Sequence, residues 1–288
     1  MTDTNHHARH KRVPRNMLRP LLALFSAMAM LFPGVAYADS GVDVSNHQGC
    51  ITSERAKAAK DAGTSFAFVK VTEGRSFTDW DADCSMQGLA SQGIRLGVYS
   101  FGRPEYGNTP EQEADWFIGQ TRGYVDHGVL PVLDWEPGGG QAGNVAWAKR
   151  WLDRVAAAWG TKPLIYMSAS TISAGDWSPV AKADYGLWVA GYPRGWTGER
   201  LRDPGAPPYS LGPWSFAAAW QYSSSGNVPG IGSAVDVNWW YGDAVTWAKY
   251  ANAPLPDHTS TSTPSKPSTP AARWRTSVSS THLQLPTK

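Results

Sequence analysis

Val129-Leu130-Pro131-Val132-Leu133-Asp134-Trp135-Glu136 begins as an apolar, β-rich run and ends in two carboxylates, with Pro137 and three glycines behind them. A strand buried on both faces reads this way where it leaves a sheet and enters a site. Residues two apart on a strand point to the same face, so Asp134 and Glu136 share one. Two rises of about 3.3 Å put their stems roughly 6–7 Å apart. Neighbouring carboxyls cannot ionise equally easily, so one is pushed toward holding its proton. An ionised carboxylate beside a protonated one is the equipment of glycoside cleavage.

Working outward, the flanking sequence alternates short apolar strands with helix-like stretches. Strands are expected at Gly41–Ser45, Ser65–Val71, Ile94–Phe101, the opening stretch and Pro163–Met167. Helices are expected at Ser53–Ala62, Asp81–Gln92, about 109–121 and Ala142–Trp159. Thr109-Pro110-Glu111-Gln112 is a helix start, with a cap, a proline in the first turn and an acid near the positive dipole end. Further strands are expected at Tyr185–Ala190, Phe216–Tyr222 and Ala234–Val237, separated by Gly/Pro/Trp-rich loops. Eight strands, the first five linked by helices, predict an α/β chain folded as a single TIM-like β/α barrel with a degenerate last third. A doubly wound open sheet is the alternative. It would carry a glycine-rich phosphate loop after the first strand, and Asp43-Val44-Ser45-Asn46-His47-Gln48-Gly49 is not one.

Three segments are expected. Residues 1–38 read as a secretory signal. Arg9, Lys11, Arg12, Arg15 and Arg19 precede an apolar run from Leu21 to Phe32, too short to span a membrane, and Ala36-Tyr37-Ala38 is a small-x-small cleavage site. Residues 39–252 form the catalytic domain, and 253–288 a Pro/Ser/Thr-rich disordered tail. The formal charge is +2, yet the 39–252 body holds 17 basic and 22 acidic residues. That body offers no nucleic-acid surface. Export predicts a secreted, extracellular or wall-associated protein, without stable membrane insertion after cleavage, and a monomer. Cys50 and Cys84 are the two cysteines; in an exported chain such a pair reads as a disulfide, with two free buried thiols as the alternative. No Cys/His/Asp cluster has metal-ligand spacing, so neither metal nor cofactor is expected.

Barrel sites sit where strands end. The expected ends supply Asp43, Lys70, Glu73, Tyr99, Asp134, Glu136 and Asp236. Acids gathered at such a rim are costly to desolvate unless they work or pair, and Lys70 is placed to balance one of them. There is no G-x-S-x-G, which argues against a serine hydrolase. Fifteen Trp and eleven Tyr suit sugar-stacking surfaces as well as core.

Asp43 through Gly49, then Phe68-Val69-Lys70-Val71-Thr72-Glu73-Gly74 with Phe77 and Asp79, resembles the signature of glycoside hydrolase family 25, the Chalaropsis-type lysozymes. Leu133-Asp134-Trp135-Glu136 looks like that family's catalytic D-x-E strand end. Leu187-Trp188-Val189-Ala190-Gly191-Tyr192, Trp220-Gln221-Tyr222 and Asp236-Val237-Asn238 are similar to its later strands. The resemblance covers roughly residues 41–250. It implies a flattened barrel that cleaves the β-1,4 bond from N-acetylmuramic acid to N-acetylglucosamine in the glycan strands of peptidoglycan. By motif, Glu136 is the general acid and Asp134 supports the reacting sugar, with Asp43 and Asp236 completing the acidic cluster. Tyr99, Lys70, Glu73, Trp188 and Tyr192 are expected to hold the glycan. Tyr99-Ser100-Phe101 stands where many members have Tyr-His-Phe, a change expected to alter substrate grip. Two other functions compete. A related endo-N-acetylglucosaminidase or chitinase typically carries D-x-x-D-x-D-x-E, absent here because residues 129 and 132 are Val. A non-catalytic wall-binding protein is the other.

Overall fold

The apolar runs become strands in the computed structural model, which describes residues 39–196 and 200–254. The expected signal, and all of the expected tail beyond residue 254, lie outside the described residues. The strands are β1 (Ser40–Val44), β2 (Thr64–Glu73), β3 (Phe77–Thr78), β4 (Arg95–Phe101), β5 (Leu130–Asp134), β6 (Leu164–Ser168), β7 (Gly186–Ala190), β8 (Ala219–Val228) and β9 (Gly232–Trp240). They hydrogen-bond in the order β1-β9-β8-β7-β6-β5-β4-β2, and a β1–β2 pairing closes the ring. The result is the expected eight-stranded barrel. β3 is an appendix on the end of β2. β9 alone runs against its ring neighbours β1 and β8.

Four helices link the first five ring strands: α1 (Ser53–Asp61), α2 (Ala82–Ser91), α3 (Pro110–Thr121) and α4 (Val145–Trp159). α3 starts where the sequence places it. Thr109 Oγ1 accepts from the Gln112 N–H at 3.2 Å, and Gln112 Oε1 accepts from the Thr109 N–H at 3.0 Å. Beyond β6 the helices shrink to α5 (Ala169–Ile172), α6 (Ser178–Lys182) and α7 (Ala244–Tyr250). Among the described residues, no helix is long and apolar enough to cross a membrane.

Alternation along the strands divides the apolar side chains into two buried layers. Val42, Val69, Val98, Leu133, Ile165 and Val189 face outward under the helices. Phe66, Phe68, Leu130, Val132, Leu164, Tyr166, Trp188 and Trp240 fill the interior, and Trp247 of α7 packs among them. Two glycines make room for this filling. A Cβ on Gly41 would lie 2.5 Å from the Phe66 ring, and one on Gly97 would lie 2.2 Å from the Phe68 ring. With the lower barrel packed solid, the polar inward positions are confined to the opposite rim. Cys50 and Cys84 form the expected disulfide, which ties the segment before α1 to α2.

Candidate active site

The carboxylates converge at that rim because each ends an inward-facing series. On β5, Leu130 and Val132 point into the core and Asp134 comes next in register. Trp135 turns outward, is wholly buried, and donates its indole N–H to the Ala142 carbonyl at 3.0 Å. Its backbone N–H still pairs with the Tyr166 carbonyl at 2.9 Å, so the strand geometry carries on toward Glu136. Glu136 then returns to the interior side and stands exposed at the pocket mouth. Asp43 ends the inward series of β1 and lies directly opposite Asp236 of β9 in the antiparallel register.

Together these four acids line one open pocket of about 290 Å³, with Lys70, Tyr99, Trp188 and Tyr192. Every carboxyl in it is pushed up. Burial is the main cause for Asp134, whose carboxyl is raised well above the usual range, and the charges of Glu136 and Asp43 push the same way. Glu136 is raised by the crowding of its pocket walls and by Asp43, and a hydrogen bond with Asp134 partly offsets this. Burial raises Asp43 against the pull of Asn238, Gln221 and Asp236. Burial and the Asp43 charge push Asp236 to about 8. The cluster therefore retains protons near neutrality, as a coupled set. Burial, then the charges of Asp43, Asp134 and Asp236, raise the Tyr99 hydroxyl well above its ordinary value, keeping it a proton donor. Among the described residues, Asp134 Oδ1 is buried without a hydrogen-bond partner.

Three expectations change. Glu73 does not line the pocket. It accepts from Lys70 Nζ at 2.6 Å and from Arg103 Nε at 2.6 Å. Burial works to raise its carboxyl, but those two cations outweigh it and hold the group below its usual value. Lys70 reaches the pocket wall yet spends one donor on Glu73, so it is a counter-charge as well as a candidate glycan contact. Trp188 forms floor rather than platform: it is 2% exposed, stacked on Phe68 at 4.2 Å between centroids, with its N–H given to Asn238 Oδ1 at 2.9 Å. Ser100 faces away from the pocket and is wholly buried. Its Oγ accepts from Thr72 Oγ1 at 2.8 Å, so Ser100 itself offers the pocket no side chain. Tyr192, 47% exposed, keeps a ring face for a sugar.

Sequence reasoning passed over Tyr166, Gln221, Asn238 and His47. Tyr166 and Gln221 line the pocket, and Asn238 bonds Asp43 from beneath. Alternation from Leu164 gives Tyr166. Gln221 and Asn238 lay inside the quoted late-strand motifs without a role, since a neutral amide carries no charge signal. Asp79 proves structural: its carboxylate accepts from the N–H groups of Asn46 at 2.7 Å and Asp81 at 2.9 Å, pinning the turn after β1.

A β/α barrel with acids massed at its strand-end rim defines a sugar-cleaving barrel enzyme. Comparison with known proteins narrows this. The family model described as glycosyl hydrolases family 25 matches residues 42–231. Lysozyme M1 of Streptomyces globisporus is 32% identical over 226 residues, 74% of this chain and 71% of that one. The N,O-diacetylmuramidase of Chalaropsis sp is 29% identical over 199 residues, 64% of this chain and 88% of that one. The crystal structure of the bacterial lysozyme from Streptomyces coelicolor superposes with a TM-score of 0.63 at 27% identity, covering 75% of this chain and 98% of that one. The chain belongs to glycosyl hydrolases family 25. Asp236 and Asn238, on β9, lie just beyond the matched stretch.

Proposed function

We infer that this chain is a peptidoglycan-hydrolysing lysozyme that cuts the β-1,4 bond between N-acetylmuramic acid and N-acetylglucosamine, and we assign its residues as follows. Glu136 is the general acid, standing at the pocket mouth where a leaving oxygen is accessible. Asp134 orients the acetamide of the sugar being cut. The observation that carries this is Asp134 Oδ1, a buried acceptor without a partner among the described residues. Such an oxygen is costly unless a ligand supplies the missing donor, and an acetamide N–H is one. Accepting that N–H favours the Asp134 anion. Its proton then passes to Glu136 through their shared hydrogen bond, to the side chain that needs it.

From there the steps balance. Glu136 protonates the glycosidic oxygen as the C1–O bond breaks, and the acetamide oxygen of the same sugar closes on C1. Asp134 steadies the resulting ring cation. Water then adds at C1, giving its proton to Glu136, and the acetamide is released. This substrate-assisted route gives net retention. Tyr99 and Tyr192 hold the sugars, and Asp43 and Asp236 form the wall opposite Glu136.

Glu136→Gln should abolish release of reducing sugar while sedimentation with purified cell walls persists. Proton NMR of the first product should show the β-anomer before mutarotation. An initial α-anomer overturns the acetamide route. A native chain that binds walls but releases no sugar is a binding protein instead. Export by residues 1–38 is part of the same proposal: the protein recovered from culture medium should begin near Asp39 on N-terminal sequencing and run as a monomer in gel filtration.

A further inference from the structure

Asp43 and Asp236 occupy directly opposed positions on β1 and β9. Two carboxylates so placed repel unless one carries a proton. Hydrogen-bond donors decide which. Asp43 Oδ2 accepts from Gln221 Nε2 at 2.9 Å and from Asn238 Nδ2 at 2.7 Å. The Asn238 amide is not free to turn over. Asn238 Oδ1 is engaged by the Trp188 indole N–H at 2.9 Å, a group that only donates. Gln221 Oε1 accepts from the Tyr166 hydroxyl at 2.9 Å and the Tyr192 hydroxyl at 2.6 Å. Two N–H donors on one oxygen, that of Asn238 fixed in orientation, favour an anion at Asp43. Asp236, by contrast, hydrogen-bonds to Asp43 itself.

We propose that Asp236 works as a neutral acid whose proton bridges to Asp43. Gln221 and Asn238 are the positioning residues that fix this division, so the wall opposite Glu136 presents one negative charge rather than two. This rests on the pocket being the glycan site and refines what that wall offers. The electrostatic neighbours agree. Asp236 meets the charges of Asp43 on β1 and Glu136 beyond β5, and bears on Tyr99 of β4 and Tyr192 beyond β7. Asp134, Lys70 and His47 line the same pocket, and the Lys70 ammonium is already paired with Glu73. The nearest neighbours thus oppose a second anion at Asp236. Its proton should leave at about pH 8, and the two anions would then push the β1–β9 rim apart just where the sugar lies.

The test uses the full chain with Asp236→Asn and Asp236→Ala. Asn is the isostere of the neutral acid, with a donor for Asp43 and an oxygen for the sugar. In the native chain, KM on soluble peptidoglycan should rise about tenfold per pH unit above pH 8, the behaviour of a site that binds only with one proton in place. Asp236→Asn should lose that alkaline rise in KM and keep a higher kcat/KM at pH 7 than Asp236→Ala, which should lose at least tenfold throughout. A readout free of catalysis is the carboxyl carbon-13 shift of Asp236, which should titrate near pH 8, after that of Asp43 has already titrated at lower pH. Asp236→Asn as weak as Asp236→Ala with a native-like melting temperature, or an Asp236 signal titrating near pH 4, overturns the proposal. Should the native chain release no sugar at any pH, the functional reading fails instead, and the carbon-13 titration still decides the protonation question.

Discussion

At Asp134 the proposed chemistry turns on one oxygen: Oδ1 is buried with no hydrogen-bond partner among the described residues. Asp134→Asn keeps the shape but removes the acceptor strength and the route for the proton. It should lower kcat by about 10²-fold or more with KM moved far less, the signature of a transition-state interaction. An unchanged kcat would remove Asp134 from the mechanism. The acids also set a pH dependence of stability. Asp43, Asp134, Glu136 and Asp236 are all raised on folding, so the folded chain binds protons that the unfolded chain has released. Their contribution is fully present below the unfolded value near 4 and is lost as pH climbs toward 8. The melting temperature should therefore be higher at pH 5 than at pH 8. Asp236→Asn should raise it at pH 8, by roughly 2–4 °C for each kcal/mol relieved. A melting temperature lower at pH 5, or lowered at pH 8 by Asp236→Asn, would contradict the raised values. At this scale the charged residues were legible, because Asp-x-Glu on a strand fixes a shared face. Gln221 and Asn238 were not, since neutral amides acquire their role only once β1, β8 and β9 bring them to one Asp43 oxygen. Glu73 misled for a related reason: its partner Arg103 lies 30 residues away.

Among the elements, β2 and β4 show how residue size sets barrel packing. Phe66 and Phe68 project from β2 into space that Gly41 and Gly97 leave open on the strands either side. Gly97→Ala would set a methyl 2.2 Å from the Phe68 ring, and overpacking of this kind costs about 1–3 kcal/mol. Thermal unfolding should show the corresponding drop; an unshifted midpoint would mean that the interior has slack. A second staple is Arg55 of α1, which donates to the carbonyls of Gln48, Cys50, Gly230 and Ile231. Arg55→Ala should cost about 1 kcal/mol by removing donors from four partly buried carbonyls, measured by denaturant midpoint, with kcat little altered. The long strands and helices were readable from period and caps. The missed elements share brevity: β3 has two residues, α5 four, α6 five and α7 seven, too few for a clear periodic signal. β8 was expected to stop at Tyr222, where Ser223-Ser224-Ser225-Gly226-Asn227 turns polar. It runs on to Val228, paired with β9 in a hairpin whose polar stretch includes exposed positions such as Ser224 and Asn227.

For the whole molecule, a ring of strands packed with aromatics at one end must place its polar positions at the other. The acidic pocket follows from that division. The 39–252 body is acidic and its rim holds four crowded carboxyls, which disfavours a polyanion as partner. The most direct test is digestion of purified peptidoglycan by the native chain, followed by borohydride reduction and mass spectrometry of the fragments. New reducing ends should be N-acetylmuramic acid, and none should form with Glu136→Gln. Reducing ends of N-acetylglucosamine, or no new ends from the native chain, would contradict the assignment.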